Sequence, residues 1–213
     1  MEGLDTLLLR SILHSVQEEL TEERMRHIEK KLQQEYGLEF VEMFDKFDKV
    51  RNTLYQFEND LKSIEDNILR NFLSVSKDPD SSDIWLVIRN KHLAELVLKT
   101  FADEDKKIIL DKTREKTETV PNLLTQCHLP NTSGYRKMKQ LIDDGFIVPA
   151  GLAESFEGKR AILYKSVIQK IQIAINKERV VTSILIPKEE LASSHIINTI
   201  LDITNNNVKN LAN

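Results

Sequence analysis

The hydrophobic period of this chain changes at Gly145, and the change limits the folds open to it. Before the glycine, in NTSGYRKMKQLIDDG (131–145), Met138, Leu141 and Ile142 recur at the spacing of one helix face. After it, FIV and RAILYKS are short extended runs joined through the glycine-centred turn EGK (Glu157–Lys159), as in a β-hairpin. Upstream, DEDKKIILDKTREK reads as a helix whose acidic first turn precedes Ile108, Ile109 and Leu110. Thr119 can cap a second, short helix with Pro121 near its first turn and Leu123, Leu124 and Cys127 on its apolar face. HLPN is a tight connection, and Asn131 or Thr132 caps the third helix. Three helices followed directly by a hairpin is the winged helix-turn-helix layout.

The flanking segments add helices and a further hairpin. Leu4, Leu7, Leu8, Ile12 and Val16 recur at helical spacing; Thr21 caps a second helix striped by Met25, Ile28 and Leu32, and Gly37 ends it. Phe40, Phe47, Leu54, Leu61 and Ile68 lie seven apart, with Met43, Val50, Phe57 and Ile64 three residues after the first four. Such heptads can form a dimerisation seam between subunits, while Phe44 and Phe72 widen the stripe as on a helix packed inside its own domain; both arrangements remain open. SVSKDPDSSD (74–83) reads as a linker, IWLVI as a short strand, and Asn90 as the cap of a helix through about Lys99. KIQIAINKERVVTSILIP reads as a hairpin turning at Asn176 and Lys177, expected to cover the core of the winged domain. Leu191, Ile196, Ile197, Ile200 and Leu201 predict an amphipathic helix that packs across a dimer, before an asparagine-rich tail expected to fray. The expected fold is mainly α with a small β component. Its parts are an N-terminal helical dimerisation or sensor region (1–73), the linker (74–83), a winged helix-turn-helix domain with a β-hairpin extension (84–187), and a C-terminal helix and tail (188–213).

Composition narrows the function classes. No apolar run in the 213 residues approaches the roughly 18–20 needed to cross a bilayer, and Met1–Arg10 lacks the pattern of a signal peptide, so a cytoplasmic protein without a membrane partner is expected. One cysteine, Cys127, allows neither an internal disulfide nor a thiolate metal cage. Residues 1–98 carry 13 Lys and Arg against 20 Asp and Glu, whereas residues 99–170 carry 13 against 10. The cationic third contains the helix-then-hairpin stretch, and such asymmetry points to polyanion contact there.

The run SGYRKMKQLIDDGFIVP, with WLVIRNKHLAELVLKTFADEDKKIIL before it and GKRAILYKS after it, resembles the ArsR-like winged-helix transcriptional regulators of archaea, particularly of ammonia-oxidising lineages. In those regulators a motif ST-Y-R-x-L-x-x-L-x-x-x-G-L marks the recognition helix; here Thr132, Ser133, Tyr135, Arg136, Met138, Leu141, Gly145 and Phe146 stand at those places. The resemblance covers residues 84–166 and is weaker over the N-terminal helices, which are similar to a helical sensor or dimerisation segment. Two positions depart from the family: Cys127 cannot supply the paired cysteines of metal-sensing members, and Gly134 replaces a small branched residue.

A helix enters the major groove with its early residues nearest the base edges. Recognition helix 132–144 is therefore expected to present Ser133, Tyr135 and Arg136 away from Met138 and Leu141, with Arg136 reading a base through its planar fork. Thr132, Lys137 and Lys139 are expected phosphate contacts. Lys159 and Arg160, on a wing near 155–160, would lie on the backbone or in the minor groove, or simply keep a hairpin turn soluble.

Nothing points to an enzyme. The five histidines show no HxxxH or HExxH spacing, and no glycine-rich phosphate loop follows a strand. His14 and Glu18, one turn apart, could share a metal or form a solvated face; Cys127 beside His128 could be an activated thiol or a buried core residue. The expectation is a homodimeric, sequence-specific regulator that binds double-stranded DNA, needs no cofactor, and would hold any effector in its N-terminal helical region. The alternative is a winged-helix protein-interaction module in a transcription or cell-division assembly.

Overall fold

Leu4–Glu19 form α1 in a computed structural model of the chain, which describes residues 3–37, 61–78, 83–154, 160–175, 177 and 180–211. Leu4, Leu7, Leu8, Leu9 and Ile12 are all buried, more than one face of a helix can hide against a single neighbour. Helix α2 (Glu22–Tyr36) begins and ends as its sequence dictates: the Thr21 hydroxyl accepts from Arg24 N at 3.4 Å, and Gly37 closes it at φ 63°. Helix α3 (Leu61–Arg70) leads into β1 (Leu73–Lys77), antiparallel to β2 (Ile84–Ile88) from Leu73↔Ile88 to Lys77↔Ile84. Ser74–Lys77, expected as part of a linker, are thus an edge strand paired to β2 along one side, and Trp85 Nε1 donates to Asp78 Oδ1 at 2.8 Å beyond it.

Helix α4 (Lys91–Ala102) is capped by Asn90, whose side chain accepts from Leu93 N at 2.9 Å; α5 (Glu104–Glu115) is capped by Asp103. The chain continues through β3 (Glu118–Thr119), α6 (Val120–Gln126), α7 (Asn131–Asp143), β4 (Ile147–Glu154) and β5 (Arg160–Ser166), and these strands form a three-stranded antiparallel sheet in the order β3-β5-β4. The N-cap of α7 is Pro130, rather than Asn131 or Thr132: its extended backbone (ψ 138°) turns the chain, and its carbonyl accepts from Gly134 N at 2.8 Å.

Strands β6 (Lys170–Ile175) and β7 (Val180–Ile186) form the expected hairpin, but it belongs to a second sheet, ordered β1-β2-β7-β6. Thr182–Ile186 are buried at every position, so β7 needs cover on both faces and pairing on both edges. Strand β2 supplies the second edge, with Leu86 opposite Ile184. Helices α8 (Lys188–Ser193) and α9 (His195–Leu211) follow, broken at Ser194, and α9 runs through the asparagine tract that was expected to fray. Its Ile196, Ile197 and Ile200 are buried, and the helix packs on α1 and α3 of its own chain. Of the heptad positions, Phe40, Phe47, Leu54 and the side chain of Leu61 lie outside the described residues, and Ile68 is buried in the chain's own core. The mixture of helix with antiparallel sheet agrees with the sequence. Among the described residues no helix is long and apolar enough to cross a membrane.

Two contacts of α1 hold these parts together. Asp5, buried in its first turn, accepts from Ser194 Oγ at 2.5 Å, His195 N at 3.0 Å and Ile196 N at 3.3 Å, capping a helix 190 residues away. Gly145, at φ 78° after α7, lies directly on α1: a Cβ there would press on Leu7 N and stand 2.9 Å from the Thr6 carbonyl carbon. Gly145→Ala should therefore destabilise the fold by about 2 kcal/mol or more in denaturant unfolding, since strained backbone and a backbone clash add. Gly151→Ala, at φ 131° but in open space, should cost about 1–3 kcal/mol of backbone strain without a clash, and leave α1 in place. Asp5→Ala removes the acceptor of two helix-start N–H groups and should cost about 2 kcal/mol in the same measurement.

Candidate functional site

Helix α7 has one face inside and one in solvent. Met138 and Leu141 are buried, and Gly134 is buried against α6, where a Cβ would lie 2.6 Å from Leu124 Cδ2. Glycine here lets the two helices approach closely, which explains a small residue at this place. The outer face carries Thr132, Tyr135, Arg136, Lys139, Gln140 and Asp143 at steps of three and four residues. Tyr135 is 48% exposed, and among the described residues the Arg136 guanidinium has no hydrogen bond or ion pair.

The cations of α7 have separate surroundings. Lys137 turns inward, 16% exposed at its side chain, with Nζ 2.5 and 2.7 Å from the Asp103 oxygens and 3.1 Å from Asp105 Oδ2. Its hydrogen bond to Asp103 raises its pKa, outweighing burial, and Asp105 adds to the effect. Burial alone would raise the Asp103 carboxyl, but hydrogen bonds from Lys137 and the Lys106 N–H outweigh it and hold the pKa below the ordinary value. Asp103 therefore caps α5 and grips α7 at once. Lys139 remains exposed but pairs with Asp143 at 2.6 Å, one turn on. Ser133 is half-buried, donating to the Pro130 carbonyl at 3.3 Å.

Of the expected contacts, Thr132, Tyr135, Arg136 and Lys139 thus share the outer face, while Ser133 and Lys137 are engaged by the protein itself. Arg160 is exposed at the start of β5, opposite Glu154; Lys159 lies outside the described residues. Gln140 was missed. It stands four residues after Arg136, a spacing that places both on one face, but a search led by cations passes over an amide.

Behind α7, Arg10 of α1 pairs with Asp144, whose carboxyl is pushed up by burial and pulled down less by Arg10. A cleft of about 670 Å³ opens where the start of α1 meets β4, β5 and α8–α9, lined in part by Gly3, Asp5, Thr117, Lys165, Glu190 and His195. Its charges are already engaged: Lys165 pairs with Glu190 at 2.5 Å and Asp5 caps α9. Only the first residues of the N-terminal region, where an effector pocket was expected, reach it.

The chemistry entertained for the histidines and the cysteine takes a different form. His14 stacks on His92 with ring centroids 5.1 Å apart, and Glu18 Oε1 is 3.0 Å from His92 Nε2, although the geometry does not make a hydrogen bond. Among the described residues no group of three or more His, Cys, Asp and Glu side chains is arranged to hold a metal ion. Cys127 is buried at the C-cap of α6, and that burial pushes its thiol up, away from the thiolate a nucleophile needs. No protein-family model, curated protein or solved structure matches the chain.

Lys137→Met should cost about 1–2 kcal/mol at neutral pH, reduced from a fully buried pair by solvent at Asp103. The lowered Asp103 contributes above its ordinary value of 3.8 and loses that contribution as pH falls through its folded value. The raised Lys137 contributes below its ordinary 10.5 and loses it as pH rises through its folded value. Unfolding curves of wild type and variant should therefore stay separated between about pH 4 and pH 10 and converge on either side.

Proposed function

We propose that this chain is a cytoplasmic, homodimeric transcriptional regulator of the archaeal ArsR-like kind that binds double-stranded DNA through α7 in the major groove. The order α5, β3, α6, α7, β4, β5, with the sheet running β3-β5-β4, supports a winged helix-turn-helix reading. The observation that carries it is Arg136 on the outer face of α7, unpaired among the described residues and flanked by Thr132, Tyr135 and Gln140 while the opposite face is buried. A guanidinium left free at such a place matches the O6 and N7 acceptors of guanine. Arg160 extends the same function onto the hairpin, as a contact to backbone or minor groove. Lys137 belongs to the α5–α7 clamp in this reading, so backbone anchoring falls to Thr132, Lys139 and Arg160. Two copies would meet two half-sites of a pseudo-palindrome.

A second reading has its own support. Leu152 and Ile162, opposite each other across β4–β5, are 56% and 46% exposed, an apolar pair suited to protein contact by a winged-helix interaction module in a transcription or cell-division assembly. Titration onto duplex DNA at several salt concentrations separates the two. DNA recognition predicts a logarithmic salt slope of about −0.9 per phosphate contacted, and an affinity loss of about tenfold or more in Arg136→Ala. Equal, weak binding by both proteins at every salt concentration would refute the DNA reading and leave the hairpin contact standing.

A further inference from the structure

The outer face of α7 offers two planar, hydrogen-bonding side chains that no other described residue engages. Arg136 is one. Gln140 is the other: it is exposed, and among the described residues its side-chain amide has no hydrogen bond, although its backbone carbonyl accepts from Asp144 N at 2.9 Å. Of the neighbouring cations, Lys137 is held inward by Asp103 and Asp105, while Lys139 stays exposed beside Asp143. At a separation of four residues the two free groups lie on one face, about 6 Å apart along the helix axis. Stacked bases rise about 3.4 Å per step, so a helix lying along the groove would set the two groups against positions about two steps apart.

The chemistry of the two forks differs. A guanidinium only donates and suits the paired acceptors of guanine; a carboxamide donates and accepts, which matches N7 and the N6 amino group of adenine. Against guanine the amide oxygen would face an acceptor, O6, with no proton between them. Resting on the reading of α7 as a DNA-recognition helix, we propose that Gln140 is a second base reader, and that each half-site carries a guanine for Arg136 and an adenine for Gln140 about two steps away.

Selection from a randomised duplex library, with the full chain and its Gln140→Ala and Arg136→Ala variants, tests this. Gln140 is exposed, and its side chain makes no hydrogen bond among the described residues, so its loss should leave the fold intact, which circular dichroism checks. Wild type should enrich a guanine and an adenine at that spacing. Gln140→Ala should keep the guanine, lose the preference for adenine, and bind the wild-type site about tenfold or more weakly. Arg136→Ala should lose the guanine and keep the adenine. A motif identical in wild type and Gln140→Ala would overturn the role of Gln140 while leaving DNA recognition intact. A wild-type chain that enriches no sequence would overturn both.

Discussion

The close approach of α1 to Gly145 is the contact on which the arrangement of the molecule depends. A residue with a side chain would have to displace the backbone of Thr6 and Leu7, and the positive φ at this turn already disfavours one. Because the glycine lies in the turn between α7 and β4, α1 is seated on the corner of the helix–hairpin unit. The same helix reaches outward along its length: Asp5 caps α9, Arg10 pairs with Asp144, and Ser15 accepts from Asn90 Nδ2 at 2.7 Å at the start of α4. Its leucines bury on several sides at once, which explains why a chain that reads as separate segments shares one continuous core.

The proposed DNA-facing helix is set in place by charge as well as by apolar packing. Asp103 ends α4 through its backbone N–H, while its carboxylate caps α5 and holds Lys137 of α7, so one residue joins three helices. A cation spent in this way is a strut, and its loss of freedom leaves the outer face of α7 with fewer free charges than the sequence suggests. Recognition by that face would accordingly rest on geometry, through a guanidinium and an amide on successive turns, more than on summed positive charge. The overall charge of −4 fits a surface of this kind.

Local structure was readable where the deciding physics is local. Thr21, Asn90 and Gly37 act at helix ends as their types predict, because a cap satisfies backbone groups within the same few residues. The buried faces of α6 and α7 and the switch of period at Gly145 follow from spacing along one element. Pro130 displaced the expected cap of α7: its extended backbone turns the chain and its carbonyl accepts the first helical bond, with no side-chain cap on the helix start. The partners of β7 could not be read in this way. A strand buried on both faces demands two neighbours, but its sequence does not say that one of them is IWLVI, almost a hundred residues earlier.

By itself the sequence determined the elements: their periods, most of their ends, and a helix whose outer face carries cations above a buried stripe. Only the tertiary structure decided how those elements were spent, placing the second hairpin in the sheet of β1 and β2, Asp5 at the head of α9, and Lys137 against Asp103. The physical reason is range. Periodicity and capping act within a turn or two of chain, whereas strand pairing, ion pairing and close backbone approach depend on which distant segments the shared core brings within a few ångströms.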